Sequence, residues 1–349
     1  MSGAAARQGI GYPIEEPPAF GAAVPIAEGV LWIRLSLPMA LDHVNVYALD
    51  DGDGWTVIDT GLDTRRTRGQ WQAVLEGPMA GKPVRRLVLT HYHPDHVGLA
   101  AWFQQEHGVE LLATRTTYLY ARMLTLDVQE RPTDEQLAFW RSAGMDKAIY
   151  EARKAERPFN FADGVGVLRL GYRRIRQDDV LTMGGRRWAV HIGHGHAPEH
   201  ATFWSLDDDL VIAGDQIISS ISPNIGLYPT EPEADPVAEW DESCRRLAAL
   251  ARPEHLVLAG HKRPFTGLPL RMRQLIENHE GALRRLRRHL AEPRTAGECF
   301  APMFKREIGP SEYGLALAET MAHVVHLWHR GEVTRRRRED GAWLWQLKG

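Results

Sequence analysis

Residues 89–96 read Leu89-Thr90-His91-Tyr92-His93-Pro94-Asp95-His96, at the end of the strand-like apolar run Arg85–Thr90. Four of the six positions from 91 to 96 carry side chains that bind metal ions. As purely structural residues they would leave four polar groups in search of partners. In extended backbone, alternate side chains point the same way. The spacing therefore predicts that His91, His93 and Asp95 converge, while His96 turns away as the next helix begins. That gives two ligand sets, able to serve two adjacent metals. Imidazole with carboxylate suits zinc, and iron or manganese accept the same donors.

Three more ligand-bearing segments lie further along, each just after a predicted strand. His196 sits in Gly193-His194-Gly195-His196-Ala197-Pro198-Glu199-His200, after Arg187–Ile192. Asp215 follows Leu210–Ala213, and His261 follows Leu256–Ala259. Ligands at strand ends are held by a rigid sheet and face one edge, where sites on layered α/β folds form.

Around these segments the chain reads as strands and helices in alternation. Val30–Leu37, His43–Leu49 and Trp55–Asp59 are strand-like, the last two separated by the turn Asp51–Gly54. Residues 63–76 and 97–107 are helical, with a strand at Val109–Ala113 between the second helix and a region of helical periodicity over 114–172. Strands return at Val180–Thr182, Arg187–Ile192, Ala201–Leu206 and Leu210–Ala213. A helix at Pro236–Ala251 opens on Asp235 as its cap, with Pro236 in the first turn. Strands, then helix, then strand, occurring twice, predict a layered α/β fold. Residues 1–28 predict a surface arm. The tail has helical stretches at 271–291, 294–304 and 314–330, then a hairpin of Val333–Arg336 and Ala342–Leu347 around Asp340-Gly341.

The chain has 349 residues, 44% hydrophobic and 25% charged, which excludes a disordered or fibrous protein. Formal net charge is -3, so no chain-wide basic field points to nucleic acid. The charge is segregated. From residue 270 onward there are 15 Lys and Arg against 10 Asp and Glu, and before it 27 against 35. Two cysteines, Cys244 and Cys299, exclude a disulfide scaffold and a cysteine-rich zinc site. The first twenty residues lack an apolar signal core, and no apolar run reaches the ~18 residues of a membrane span. The expectation is a cytoplasmic protein without membrane contact.

Asp59, His91-x-His93-x-Asp95-His96, His196, Asp215 and His261 occur in the order characteristic of the metallo-beta-lactamase superfamily, which residues 30–265 resemble. The resemblance implies an αββα sandwich over 29–268 with a helical insertion at about 114–172. The tail, 269–349, resembles the small winged-helix domain appended to some members, through Glu319, His323, Leu327 and the hairpin after Gly331. By the same resemblance His91, His93 and His196 bind a first metal and Asp95, His96 and His261 a second, with Asp215 bridging. Two divalent ions, zinc first and iron or manganese as alternatives, would share one water and acidify it towards neutrality. Asp95 would also guide that water's proton, and Asp59 would orient a ligand histidine. The six residues Gly195–His200 match the family's Gly-His-x-Pro-Gly-His except that Glu199 replaces glycine. This register makes His196 the ligand; a slip of two would make it His194. His200 reads as a neighbour of the ligands.

Among the branches, an aspartate bridge points to glyoxalase-II-like, lactonase and nuclease-like members. The main expectation is a dinuclear hydrolase whose metal-bound hydroxide attacks an ester, thioester or lactone carbonyl of a small molecule. Lys262 and Arg263 are candidates for an anionic substrate tail, and Tyr118 and Trp140 for a pocket wall in the insertion. The alternative is an RNA endonuclease of the beta-lactamase-like protein 2 type, with Arg284–Arg288 and Arg335–Arg338 touching phosphates. A homodimer is expected in the first case. His323, His326 and His329 lie at helical spacing with no carboxylate beside them in sequence, and read as a partly exposed face.

Overall fold

A computed structural model describes residues 9–349 of the chain. The first eight residues of the expected N-terminal arm lie outside the described residues. The chain forms two compact units. One gathers the chain up to Val128 with Asn160–Pro223 and Arg246–Met272. The other gathers Gln129–Phe159, Asn224–Arg245 and Arg273–Gly349.

The first unit is built on two sheets. The larger has seven strands in sequential order: β1 (Ala23–Ala27), β2 (Val30–Ser36), β3 (His43–Asp50), β4 (Trp55–Ile58), β5 (Val84–Val88), β6 (Glu110–Ala113) and β7 (Arg173–Arg174). β1 to β4 form an antiparallel meander, and β4 to β7 run parallel. Parallel neighbours need crossover connections, and helices supply them. α1 (Arg65–Glu76) lies between β4 and β5. α2 (Pro94–Val97) and α3 (Ala100–Glu106) lie between β5 and β6, and α4 (Arg115–Leu126) follows β6. Thr64 and Thr114 cap α1 and α4 by accepting from the amides of Thr67 and Thr117. The smaller sheet runs β12-β11-β10-β9-β8, with β8 (Val180–Met183), β9 (Arg186–Gly193), β10 (His200–Ser205), β11 (Leu210–Gly214) and β12 (Leu256–Ala259).

Alternation along the strands divides the apolar side chains between two cores. Ile33, Leu35, Val44, Val46, Val57, Leu87 and Leu89 face the helices and pack with Trp71, Phe103 and Ala121. Trp32, Tyr47, Leu49, Ile58, Val88 and Leu112 face the second sheet and pack with Trp188, Val190, Phe203, Ile212 and Leu258. β10 is antiparallel to both β9 and β11, and β11 is parallel to β12, so β9, β11 and β12 end at one edge. That geometry brings the segments after these strands together.

Sequence and structure differ in five places, one being the stretch 294–304, which is a 3-10 turn at Ala296–Cys299 and a five-residue helix at Phe300–Phe304 instead of a single helix. Residues 23–27, expected in a surface arm, form β1 and pair with β2. β7 is two residues long, too short for a periodic signal. The helix expected over 97–107 is split. Its first turn begins earlier, at Pro94, whose fixed φ suits the first helical position, and α3 starts after Gly98. The region 114–172, read as one insertion, divides between the units. α4 stays with the first, and α5 (Asp134–Ser142) and α6 (Lys147–Ala155) belong to the second.

In the second unit, α5 and α6 are capped by Thr133 and Asp146. They meet the tail through Asp146 N–H, which donates to Tyr313 Oη at 2.8 Å, and Gly297 N–H, which donates to Ala143 O at 3.0 Å. α7 spans Pro236–Ala248 and α8 Leu268–His289. A short 3-10 turn leads into α9 (Phe300–Phe304). Next come α10 (Tyr313–His329) and the hairpin of β13 (Val333–Arg337) and β14 (Trp343–Leu347). No helix among the described residues is long and apolar enough to cross a membrane.

Candidate metal centre

The strand ends of the first unit bring seven predicted ligands into three overlapping groups: His91 with His93 and His196; His91 with His96 and Asp215; and Asp95 with His96 and His261. Within each group the ligand atoms lie within 4.8 Å of one another. The expectation that His91, His93 and Asp95 converge needs correction. Extended backbone ends at His93, and the helical turn of α2 swings Asp95 away from His91 and His93, towards His96 and His261. Asp215 reaches both sides. Its Oδ2 is 3.1 Å from His261 Nε2 and 3.6 Å from His196 Nε2, and its Oδ1 is 3.5 Å from His96 Nε2. Asp95 Oδ2 lies 3.2 Å from His261 Nε2.

Neighbouring residues determine which nitrogen of each ring is free. Asp59 has a left-handed backbone, φ 60°, and its carboxylate accepts from three donors. These are Thr90 N–H at 2.8 Å, Thr90 Oγ1 at 2.7 Å and His96 Nδ1 at 2.8 Å. Because the Thr90 hydroxyl donates to Asp59, it accepts from His91 Nδ1 at 3.0 Å. His261 Nδ1 donates to His43 O at 2.7 Å. In all three histidines Nδ1 is tied down and Nε2 points into the cluster, the arrangement that fixes a metal-binding tautomer. Next to it, Asn45 and Tyr47 donate to Ala259 O at 3.0 and 2.8 Å and hold the end of β12.

The electrostatics suit a cation. Burial, reinforced by surrounding imidazoles, pushes His91 far below the ordinary histidine range and His93 down to about 3. Both are neutral donors. Burial alone would raise Asp215, but the imidazoles of His261 and His96 outweigh it and hold the carboxyl well below the usual range. His96 and His261 move the other way. Burial lowers them, and the carboxylates, Asp215 foremost, raise them further, His261 to about 10. Positive charge is thus demanded between the two carboxylates. The buried Nε2 of His91 and Oδ1 of Asp215 have no hydrogen-bond partner among the described residues. Neutral imidazoles, two carboxylates and inward lone pairs fit divalent ions.

Two glycines make room. A Cβ on Gly260 would overlap Asp215 Oδ1 and stand 2.7 Å from His96 Cε1. A Cβ on Gly214 would stand 2.7 Å from His200 Cε1. His200 accepts from Asp215 N–H at 3.1 Å and stacks on His91 with centroids 4.6 Å apart, so it supports two ligands. His194 falls outside the three groups and accepts from Glu199 N–H at 3.3 Å. Tyr118 does not line the centre. It is buried in the core, stacked on Tyr172 at 4.0 Å, its hydroxyl donating to Arg169 O. Trp140 belongs to the second unit. The aromatic neighbour of the centre is Tyr92, whose ring is 4.9 Å from His93 and 5.1 Å from Tyr120. Thr90 and Gly260 are supporting residues that spacing alone does not single out, and His43 and Asn45, which the stretch Asp42–Tyr47 presents as strand residues first and edge-of-site residues second, join them. Only their contacts across the sheet edge give them a role.

The second unit holds another cluster. His323 is buried, not exposed. Its Nδ1 donates to Glu319 O at 2.7 Å, and its Nε2 lies 3.0 Å from His279 Nδ1. His326 pairs with Asp235 at 2.9 Å, and His329 Nε2 donates to Glu233 O at 2.7 Å. One carboxylate, Asp235, arrives from another segment to meet His326, while Glu319, one turn before His323 on α10 itself, groups with His279 and His323.

Residues 39–261 match the metallo-beta-lactamase superfamily, and residues 283–348 match a metallo-beta-lactamase-like C-terminal domain. A probable metallo-hydrolase, YqjP, of Bacillus subtilis (strain 168) is 26% identical over 303 residues, covering 85% of this chain and 91% of its own length. The crystal structure of a beta-lactamase domain protein from Burkholderia ambifaria superposes with a TM-score of 0.87 at 32% identity, covering 97% of each chain. A metallo-beta-lactamase family protein from Thermus thermophilus superposes with a TM-score of 0.76 at 26% identity, covering 93% of this chain and 100% of that one. With the ligand-bearing strand ends all inside the matched span, the chain belongs to the metallo-beta-lactamase superfamily and is a metallo-hydrolase of that family.

Proposed function

We propose that the chain is a dinuclear hydrolase of small esters, thioesters or lactones. His91, His93 and His196 would hold one divalent ion, Asp95, His96 and His261 a second, and Asp215 would bridge them. The observation that carries this reading is the Asp215 carboxylate, within 3.6 Å of histidine nitrogens from both sets. Zinc fits the donors best, since imidazole outnumbers carboxylate. Bound ions would supply Lewis acidity towards a carbonyl oxygen and a water acidified towards neutrality.

The chain's own residues do the rest. Asp59 holds the His96 ring in place through Nδ1. Asp95, half-buried at the edge of the cluster, is placed to accept a proton from an attacking water and pass it to the leaving group. Tyr92 gives substrate an apolar surface beside His93.

We also infer that α8, α9, α10 and the β13–β14 hairpin form a winged-helix-like domain, since three helices followed by a two-stranded hairpin is that arrangement. Its arginines favour a structural role over phosphate contact. Arg335 pairs with Glu233 at 2.5 Å and lies over Trp328 and Trp343 at 4.0 and 4.5 Å. Arg338 pairs with Asp340, and Arg287 with Glu332. The test is initial rates of the zinc-loaded protein on thioesters and lactones beside bis(p-nitrophenyl) phosphate, with Asp215→Ala as the blank. Carbonyl turnover abolished in the variant is expected. Preferred phosphodiester turnover would replace this reading with RNA cleavage.

A further inference from the structure

A cavity of about 430 Å³ in the first unit lies beside the metal centre and is basic. Arg34, Lys262 and Arg263 line it, and Glu15 is the one carboxylate among its lining residues. The loops that carry the centre also form its walls. Lys262 directly follows His261, and Ser219 comes four residues after Asp215. His43 lines it as well, with its ring 6.1 Å from the ring of His261.

The donors are held for a ligand. Lys262 has a left-handed backbone, φ 65°, clamped on both sides. Its N–H donates to His43 Nε2 at 2.9 Å and its C=O accepts from Asn45 Nδ2 at 2.6 Å. No carboxylate among the described residues lies within ion-pair distance of its ammonium. Ser219 is 3% exposed, and its hydroxyl is buried without a hydrogen-bond partner among the described residues. Such a hydroxyl costs stability unless a ligand pairs with it. Arg263 is braced over the Tyr12 ring at 4.1 Å and donates to Glu15 O at 3.0 Å. Arg34 lies over Phe20 at 4.5 Å, its one carboxylate contact among the described residues being Asp42 at 3.4 Å. Stacking of this kind leaves guanidinium edges for an acceptor. Ammonium and guanidinium donors around one space, with the Ser219 hydroxyl buried in its wall, select a ligand made of acceptors, and such a ligand is an oxyanion.

We propose that this cavity binds a carboxylate or phosphate group of the substrate, so that the enzyme acts on anionic acyl compounds rather than neutral ones. The assignment to substrate rests on the hydrolase reading above; the anion pocket itself does not.

Calorimetric titration of the metal-loaded protein with inorganic phosphate and, separately, with succinate tests it. One probe is expected to bind, and the preferred probe tells a phosphate tail from a carboxylate tail. Lys262→Gln should weaken binding about ten-fold or more and Ser219→Ala about three-fold. Circular dichroism and metal content would verify that both variants fold. Binding should survive in wild-type protein stripped by a chelator. No binding of either probe, equal affinity in Lys262→Gln, or loss of binding on stripping would each overturn the pocket. Anion binding without turnover of any anionic ester, thioester or lactone would leave the pocket standing and sink the substrate class proposed above.

Discussion

At Asp59, one carboxylate accepts the amide and hydroxyl of Thr90 and the Nδ1–H of His96. It does so from a left-handed backbone that costs a non-glycine residue on the order of 1–3 kcal/mol. That cost is offset by the three hydrogen bonds, and through Thr90 the same carboxylate also sets the His91 ring. Asp59→Ala should therefore weaken metal binding by roughly 10–100-fold, although Asp59 belongs to none of the ligand groups. Competition with a chromogenic chelator would measure it, and unchanged affinity would remove Asp59 from the positioning role. Asp59 was visible in sequence only through its place in the family pattern. Thr90 was visible as a letter in the motif, but its role as a link between Asp59 and His91 depends on contacts made across the sheet edge.

Among the elements, strand ends and the turn after each one decide the ligand geometry. β12 ends at Ala259, and Gly260 then passes so close to Asp215 that no side chain fits. Gly260→Ala should push the Asp215 carboxylate out of its position between His96 and His261. We expect a loss of at least about 100-fold in kcat/KM, with the far-ultraviolet dichroism of the wild type. Placing Gly260→Ala on top of Asp215→Ala should cost little more, because the group it displaces is already gone. Full additivity of the two losses would show that the glycine acts elsewhere. Helices and strands with clear periodicity were legible from the sequence. Strand alternation does not foresee the turn at Pro94–Val97, because the proline begins a helix and ends the extended backbone there. That turn moves Asp95 from the company of His91 and His93 to that of His96 and His261.

For the molecule as a whole, the titration of Glu319 couples the second unit to pH. Burial raises its carboxyl from 4.5 to about 7, with the Asn224 amide only partly opposing. The unfolded chain releases this proton near the ordinary value, while the folded chain keeps it until about pH 7. Stability therefore falls as pH rises between about 4.5 and about 7, by on the order of 2–3 kcal/mol from this group. Glu319→Gln should flatten that fall and make the variant the more stable protein at pH 8. Urea unfolding of both proteins across pH would show it, and parallel pH curves would refute it.

The sequence by itself determined the ligand segments, the order of strands and helices around them and the family, because spacing within one element acts through local backbone geometry. Tertiary structure alone decided the partners. Asp95 meets His261, Asp215 reaches both histidine sets, His323 finds His279, and His326 finds Asp235. These pairings depend on which sheet edges meet and which side chains lose water on folding. Nothing within a short stretch of chain encodes either one.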